Sequence, residues 1–404
     1  MSSFLQNYFV SFIAGLLNHQ PLAWILYGII SGAVILGVLS AYGALAVYAE
    51  RKIMAFMQCR LGPMEVGPEI ELRIAGMKIL PKGWYGLGVL IADGIKLLGK
   101  EDTVPAKADS LIFKLAPAIV FAATITSFVV IPFAPFFTPA DIDAGILVIL
   151  AASSIVAVGI VMGGYASNNK WSLYGAIRSV AQVVSYEVPM GLALLSVVMT
   201  TGSLALADIA DNQSGWAWNW HAFSNVWLFI AAIIYIISSL AETNRTPFDI
   251  PEAEAELVAG YHTEYSGMRF ALFMFAEYIN MLLVSLIASV FFFGGYYSGI
   301  QWLDRYYFLG PFVLGAKALL LVIIMIWLRW TLPRFRVDQL MTLCWKAMLP
   351  LSIIAFVGAA AALFQTSLVF AIFWRFCILI LLALFAFEVA KGIRTKSISR
   401  KATE

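Results

Sequence analysis

The sequence predicts an all-α polytopic membrane protein, one bundle of about eight or nine transmembrane helices, on three observations. Apolar residues make up 61% of the 404 and charged residues only 12%, with a mean hydropathy of +0.87. That is too apolar for a soluble domain. Apolar runs recur at or near the ~20 residues that a helix needs to cross a bilayer. Between those runs, lysine and arginine collect in alternate loops, as the positive-inside rule requires of a spanning chain.

Taken in order, nine spans are expected: Leu22–Tyr48, Leu111–Phe133, Ile146–Tyr165, Val180–Thr200, Val226–Ala241, Phe270–Phe293, Pro311–Leu328, Ala347–Leu363 and Leu368–Val389. Residues 1–17 lack the basic region of a signal peptide and read as an interfacial helix leading into the first span. The loop after the first span carries ten of the 26 Lys and Arg, from Arg51 to Lys114. Lys170 and Arg178, then Arg329, Arg334, Arg336 and Lys346, and a basic tail from Lys391 fall on the same side. Asp141, Asp143, Asp208 and Asp211 mark the other, with Arg305 as its one clear basic residue. This places the N-terminus outside and the C-terminus in the cytoplasm, which an odd number of spans also requires. The whole of 1–404 reads as a single integral membrane domain.

The first cytoplasmic loop, 49–110, has structure of its own. Gly–Pro turns stand at Gly62–Pro63 and Gly67–Pro68. Glu69 to Ile74 alternates, and Met77 to Leu80 supplies a return strand, so a small hairpin is expected. From Trp84 to Lys100, Asp93, Lys96 and Lys100 share one helical face in an otherwise apolar stretch. That describes an amphipathic helix at the interface or beneath the bundle.

Charge inside the apolar regions carries the functional signal. Between Glu242 and Glu264 stand six carboxylates, Glu242, Asp249, Glu252, Glu254, Glu256 and Glu264, against one fixed positive charge, Arg245. Asp249 with Glu252 resembles a capping box, with Pro251 in the first turn of the helix it would start. Capping leaves the other glutamates unexplained. Carboxylates crowded at reduced dielectric couple their protonation, which suits a proton or ion route. Glu187 lies within a span beside Pro189, where a kink frees backbone carbonyls. Glu277 and Lys317 are placed to pair across the sixth and seventh spans, while Arg375 and Glu388 sit near the ends of the last span and can snorkel. Cys59, Cys344 and Cys377 are scattered, as are His19, His221 and His262, so no disulfide framework, zinc site or iron–sulfur ligation is expected within this chain. No phosphate-binding glycine loop is present in the sequence.

The runs AERK (49–52), RLGPMEVGP (60–68), ADGIKLLGKED (92–102), SYEVPMGLALL (185–195) and ETNRTPFDIPEAEAELVAGYHTEYSG (242–267) resemble the family of H-type membrane subunits of the proton-pumping NADH:quinone oxidoreductase, respiratory complex I. The likeness extends from about residue 20 to about residue 365. It implies a membrane-arm subunit of a bacterial inner membrane that builds the quinone chamber together with peripheral-arm subunits and contacts small membrane-arm subunits and lipid. FMN, NADH and iron–sulfur chemistry would belong to those partners, with quinone as substrate at the interface. By position, Glu50, Arg51, Arg60, Asp93, Lys96 and Glu101 fall on the quinone chamber. Glu187, Glu242, Glu252, Glu254, Glu256 and Glu264 fall on an acidic proton path, and Arg245 and Asp249 on the contact with the peripheral arm. No catalytic residue is implied within the chain itself.

Three features depart from the family pattern: Met64 and Glu65 where Asn and Arg are usual, about fifteen residues inserted around Glu69 to Gly83, and the additional span 368–389. Two other classes share some of these signals. One is the membrane subunit of an energy-converting hydrogenase, which needs no quinone. The other is a standalone ion-coupled transporter, against which the lack of a convincing internal repeat counts.

Overall fold

The computed structural model describes residues 20–64, 66, 72–74, 77–80, 84–135, 137–250 and 258–364, and beyond them 374, 377, 378 and 380. The interfacial segment expected at 1–17 lies outside the described residues. So do Glu252, Glu254 and Glu256, the helix start expected after Asp249, Arg375, Glu388 and most of the additional span. The described helices confirm an all-α membrane bundle. Seven are long and apolar enough to cross a bilayer.

Helix α1 (Gln20–Met57) has 38 residues, or roughly 57 Å at 1.5 Å per residue. It therefore continues past the expected end of the first span and carries Glu50 and Arg51 on its last turns. After it, β1 (Leu72–Ile74) and β2 (Met77–Leu80) pair antiparallel as the alternation predicts. Helix α2 (Val89–Gly99) follows. It is less covered than a helix wedged under the bundle would be, with Ile91, Ile95 and Leu98 65–69% exposed.

Four helices form the first half of the bundle. Helix α3 (Ser110–Phe128) starts at Asp109, whose side chain accepts from the Leu111 N–H at 3.3 Å. Helix α4 (Gly145–Ala166) packs along it. Helix α5 (Lys170–Thr201) is capped by Asn169, which accepts from the Trp171 N–H at 3.0 Å, and it stops at Gly202 with φ 74°. It starts ten residues before the expected span, so Glu187 lies near its middle. Helix α6 (Val226–Glu242) has only 17 residues, short for a full crossing. Its flanks are largely buried by α5 and its later neighbours, so packing sustains it.

Helix α7 (Gly267–Phe292) is the central helix. Every residue from Met281 to Phe292 is buried, as expected of a helix that is apolar all round. Helix α8 (Gly310–Thr331) lies against it. Helix α9 (Val337–Leu363) contains a π-helical turn at Cys344–Met348. Pro350 supplies the reason: it has no N–H for the carbonyl four residues earlier and its ring crowds that carbonyl. The expected pairing of Glu277 with Lys317 does not form. Lys317 instead donates to the carbonyls of Phe293, Gly295 and Tyr297 at 2.5, 3.1 and 2.5 Å, where α7 ends.

Where the chain returns from the acidic segment, a turn at Gly260–His262 is pressed onto α5. A Cβ added at Gly175 would stand 2.7 Å from Gly260 Cα and 2.8 Å from its carbonyl carbon. Both obstacles are backbone and cannot rotate aside. Gly175→Ala is therefore expected to destabilise the protein by about 1–3 kcal/mol through overpacking. The check is a lower thermal midpoint for the purified variant, whereas an unchanged midpoint would show that the turn yields freely.

Candidate functional site

A cavity of about 670 Å³ opens where the last turns of α1, helix α2 and the first half of α7 meet. Its volume lies within the range of small-molecule sites. Glu50, Arg51, Asp93 and Lys96 line it, with Phe275, Tyr278 and Arg329 among the opposing groups. Four of the six residues expected at a chamber therefore share one wall. Arg60 and Glu101 do not line it, and both are exposed. Arg51 and Asp93 form an ion pair at 2.8 Å, with side chains 44% and 32% exposed. So open a pair contributes little to stability, and both of its side chains line the cavity.

The deeper wall is different. Glu50 is 6% exposed, and its carboxylate receives Nη1 of Arg245 at 3.3 Å and Nη1 of Arg329. Arg245 is itself buried, with its guanidinium 4.4 Å from the centre of the Tyr278 ring. Two of the three charges, Glu50 and Arg245, are thus held out of water and Arg329 is largely shielded, with its side chain 18% exposed, which is tolerable only while each has its partner. Sequence reasoning used Arg329 only as a marker of orientation. Its neighbours give no sign of its contact with Glu50, 279 positions away, because that contact exists only once α8 is laid beside α1.

From Arg245 the chain leads to a second polar site. Asp249 is buried, and it pairs with Arg334 at 2.7 Å. Phe335 N–H donates to the Pro247 carbonyl at 3.0 Å, so the loop is held against the start of α9. Glu242, at the end of α6, lines a smaller cavity of about 30 Å³ with Ser153, Asn244, Tyr261, Glu277 and Asn280. A space of that size accommodates a water molecule. Asn280 lines this cavity beside Glu242, and the Tyr261 hydroxyl donates to Glu277 at 3.0 Å. Ser153 lines the same cavity and donates to Glu187 at 2.7 Å, while Ser154 reaches it at 3.4 Å. Glu264 accepts from the Asn169 amide at 2.6 Å, away from this cavity. Three carboxylates from three helices, Glu187, Glu242 and Glu277, thus adjoin one polar space. Tertiary packing adds Glu277 to the site and leaves Glu264 at its edge.

His262 sits beside Tyr261, 4% exposed and with its ring 3.8 Å from that of Tyr261. Burial lowers its pKa to about 3. In the unfolded chain the imidazole titrates near 6.5, so above that pH neither state holds the proton and the group adds no pH dependence. Below it the unfolded chain gains a proton that the folded protein accepts only near pH 3. Stability therefore falls as pH drops through this window, by at most ~1.4 kcal/mol per pH unit for this group. The thermal midpoint of a His262→Gln variant should consequently depend less steeply on pH between 6.5 and 4. An equal slope in both proteins would assign the acid sensitivity elsewhere.

The site belongs to a widespread family. The NADH dehydrogenase family profile matches residues 30–360. The NADH-quinone oxidoreductase H subunit of Chlorobaculum parvum is 47% identical over 363 residues, spanning 85% of this chain and 95% of that relative. NADH-quinone oxidoreductase subunit 8 of Rhodothermus marinus is 44% identical over 347 residues, with 82% and 96% covered. The corresponding H subunit of Rickettsia typhi is 45% identical over 325 residues, with 80% and 89% covered. None of these relatives is named as a hydrogenase component or a standalone transporter. With this identity sustained across nearly the whole bundle, the chain belongs to the NADH dehydrogenase family, among the H subunits of NADH-quinone oxidoreductase.

Proposed function

We propose that this chain is the membrane subunit that walls the quinone chamber of an NADH-quinone oxidoreductase and passes the effect of quinone reduction to a row of carboxylates. The observation that carries this reading is the adjacency of two sites. The large cavity ends on the Glu50–Arg245–Arg329 cluster, and the chain from Arg245 back to Glu242 reaches the small cavity within one loop.

Reduction of a quinone takes up electrons and protons, so it changes the charge facing Glu50, Arg51, Asp93 and Lys96. Arg60 and Glu101 act from the rim of the same chamber. A change in charge at Glu50 alters the field on Arg245 and hence on the loop that ends α6. Glu242, Glu277 and Glu187 then shift protonation together, as interacting carboxylates do. Glu252, Glu254, Glu256 and Glu264 extend this path, and Arg245 and Asp249 brace the loop that meets the peripheral arm. NADH oxidation, FMN and iron–sulfur clusters belong to partner subunits of the assembly. The basic loops face the cytoplasm of a bacterium, with the bundle in its inner membrane among small membrane-arm subunits and lipid.

The decisive experiment uses the assembled enzyme and a quinone carrying a photoreactive group. Cross-links are expected on Met54 or on α7 between Met268 and Phe275, and an excess of ordinary quinone should suppress them. Suppressible labelling confined to other parts of this chain, or to other subunits alone, would remove the chamber from this cavity.

A further inference from the structure

Gln182 stands on α5, little more than one turn before Glu187, and is 1% exposed. Its Nε2 donates to the carbonyl of Ala241 and to that of Phe248, both at 2.7 Å, and faces Oδ1 of Asn244 at 3.3 Å. Ala241 is the last residue but one of α6, just before Glu242, and Phe248 lies seven residues later. One amide therefore closes the loop that bears Glu242, Asn244 and Arg245, with Asp249 just beyond it. Its own Oε1 meets no donor among the described residues, so the contribution of this side chain is donation.

The rest of the loop's hydrogen bonding explains why such a clasp matters. The backbone N–H groups of Thr243, Asn244, Arg245, Phe248 and Ile250 donate to carbonyls between Ser239 and Phe248, that is, within the loop and the helix end it extends. Such bonds shape a turn without fixing its position in the bundle. Position comes from the ion pairs of Arg245 with Glu50 and Asp249 with Arg334, from the Phe335 contact, and from Gln182. The ion pairs face the large cavity and the α9 side, whereas Gln182 holds the loop from α5, the helix that carries Glu187.

We infer that Gln182 is a positioning residue that sets Glu242 and Asn244 in register with Glu187 while Arg245 faces Glu50, so that a change at the large cavity is transmitted to the small one. This rests on the function proposed above. Its loss should impair the coupled turnover rather than quinone binding, because Gln182 does not line the large cavity. Displacements of about 1 Å in such constellations can cost up to 10²-fold in rate.

The test is made in the assembled enzyme in membrane vesicles with Gln182→Met, Gln182→Glu and Gln182→Asn. Met preserves length and removes the donor, and Glu preserves length but offers at most one O–H in place of two N–H groups, while Asn keeps the amide donor one methylene shorter. Quinone reduction and proton translocation are expected to fall about ten-fold in Met and Glu, with the KM for quinone within about two-fold of wild type. NADH oxidation by a soluble artificial acceptor should be unchanged, and Asn should recover part of the loss. Wild-type kcat in both Met and Glu, or a raised KM at unchanged kcat, would overturn the inference. Failure of all three variants to assemble would assign Gln182 to folding and overturn it as well. A wild-type enzyme that reduces no quinone would instead refute the function on which the inference rests.

Discussion

Replacing Glu50 with alanine is expected to abolish quinone reduction and to lower the amount of assembled enzyme. The carboxylate is the shared partner of Arg245 and Arg329, and both Glu50 and Arg245 are buried. Removing it leaves two guanidinium groups facing each other across a wall with little access to water. Breaking a buried pair from one side costs about 3–5 kcal/mol, a large share of the stability of most proteins. Glu50→Gln keeps the shape and one acceptor oxygen but loses the charge and the second acceptor, so it should assemble better than the alanine variant while still reducing quinone poorly. Quinone reductase activity and subunit content measured side by side separate these outcomes. Wild-type turnover in Glu50→Ala would mean that the cluster braces the fold without serving the chamber.

The second large effect is expected at Glu242. Glu242→Gln preserves the volume beside Asn280 and the 30 Å³ cavity, so the bundle should assemble normally. An amide cannot exchange a proton as a carboxyl does, and ionisable groups buried in a membrane bundle are retained against a heavy desolvation cost. Proton translocation is expected to fall by about ten-fold or more, in the range of a removed general acid–base group. Glu264→Gln provides the comparison, because Glu264 is held by Asn169 outside the small cavity and its loss should be milder. Acidification of vesicle interiors driven by NADH reports both. Equal and full activity in the two variants would exclude Glu242 from the path.

How much of this was legible in the residues varies with the range of the interaction. The spans follow from apolar runs, a property of a dozen or more neighbours read together; among the described residues eight of the nine expected positions hold a helix, seven of them long and apolar enough to cross. The hairpin at 72–80 follows from alternation within a few positions. Where a local rule failed, a distant partner had replaced a near one. Lys317 chose the carbonyls at the end of α7 instead of Glu277, because those carbonyls are left without helical partners and lie beside it. Glu277 turned to Tyr261.

The sequence by itself therefore determined that the protein spans a membrane, which loops are basic, and that its carboxylates cluster between the fifth and sixth spans. Solvent alone enforces these properties, since hydrocarbon penalises every unsatisfied polar group wherever it stands in the chain. The tertiary structure decided which charges meet. Glu50 joined Arg329 across 279 positions and Glu187 approached Glu242 through Ser153. Such contacts depend on how helices pack, and packing is set by the volumes of apolar side chains far from the charges it brings together.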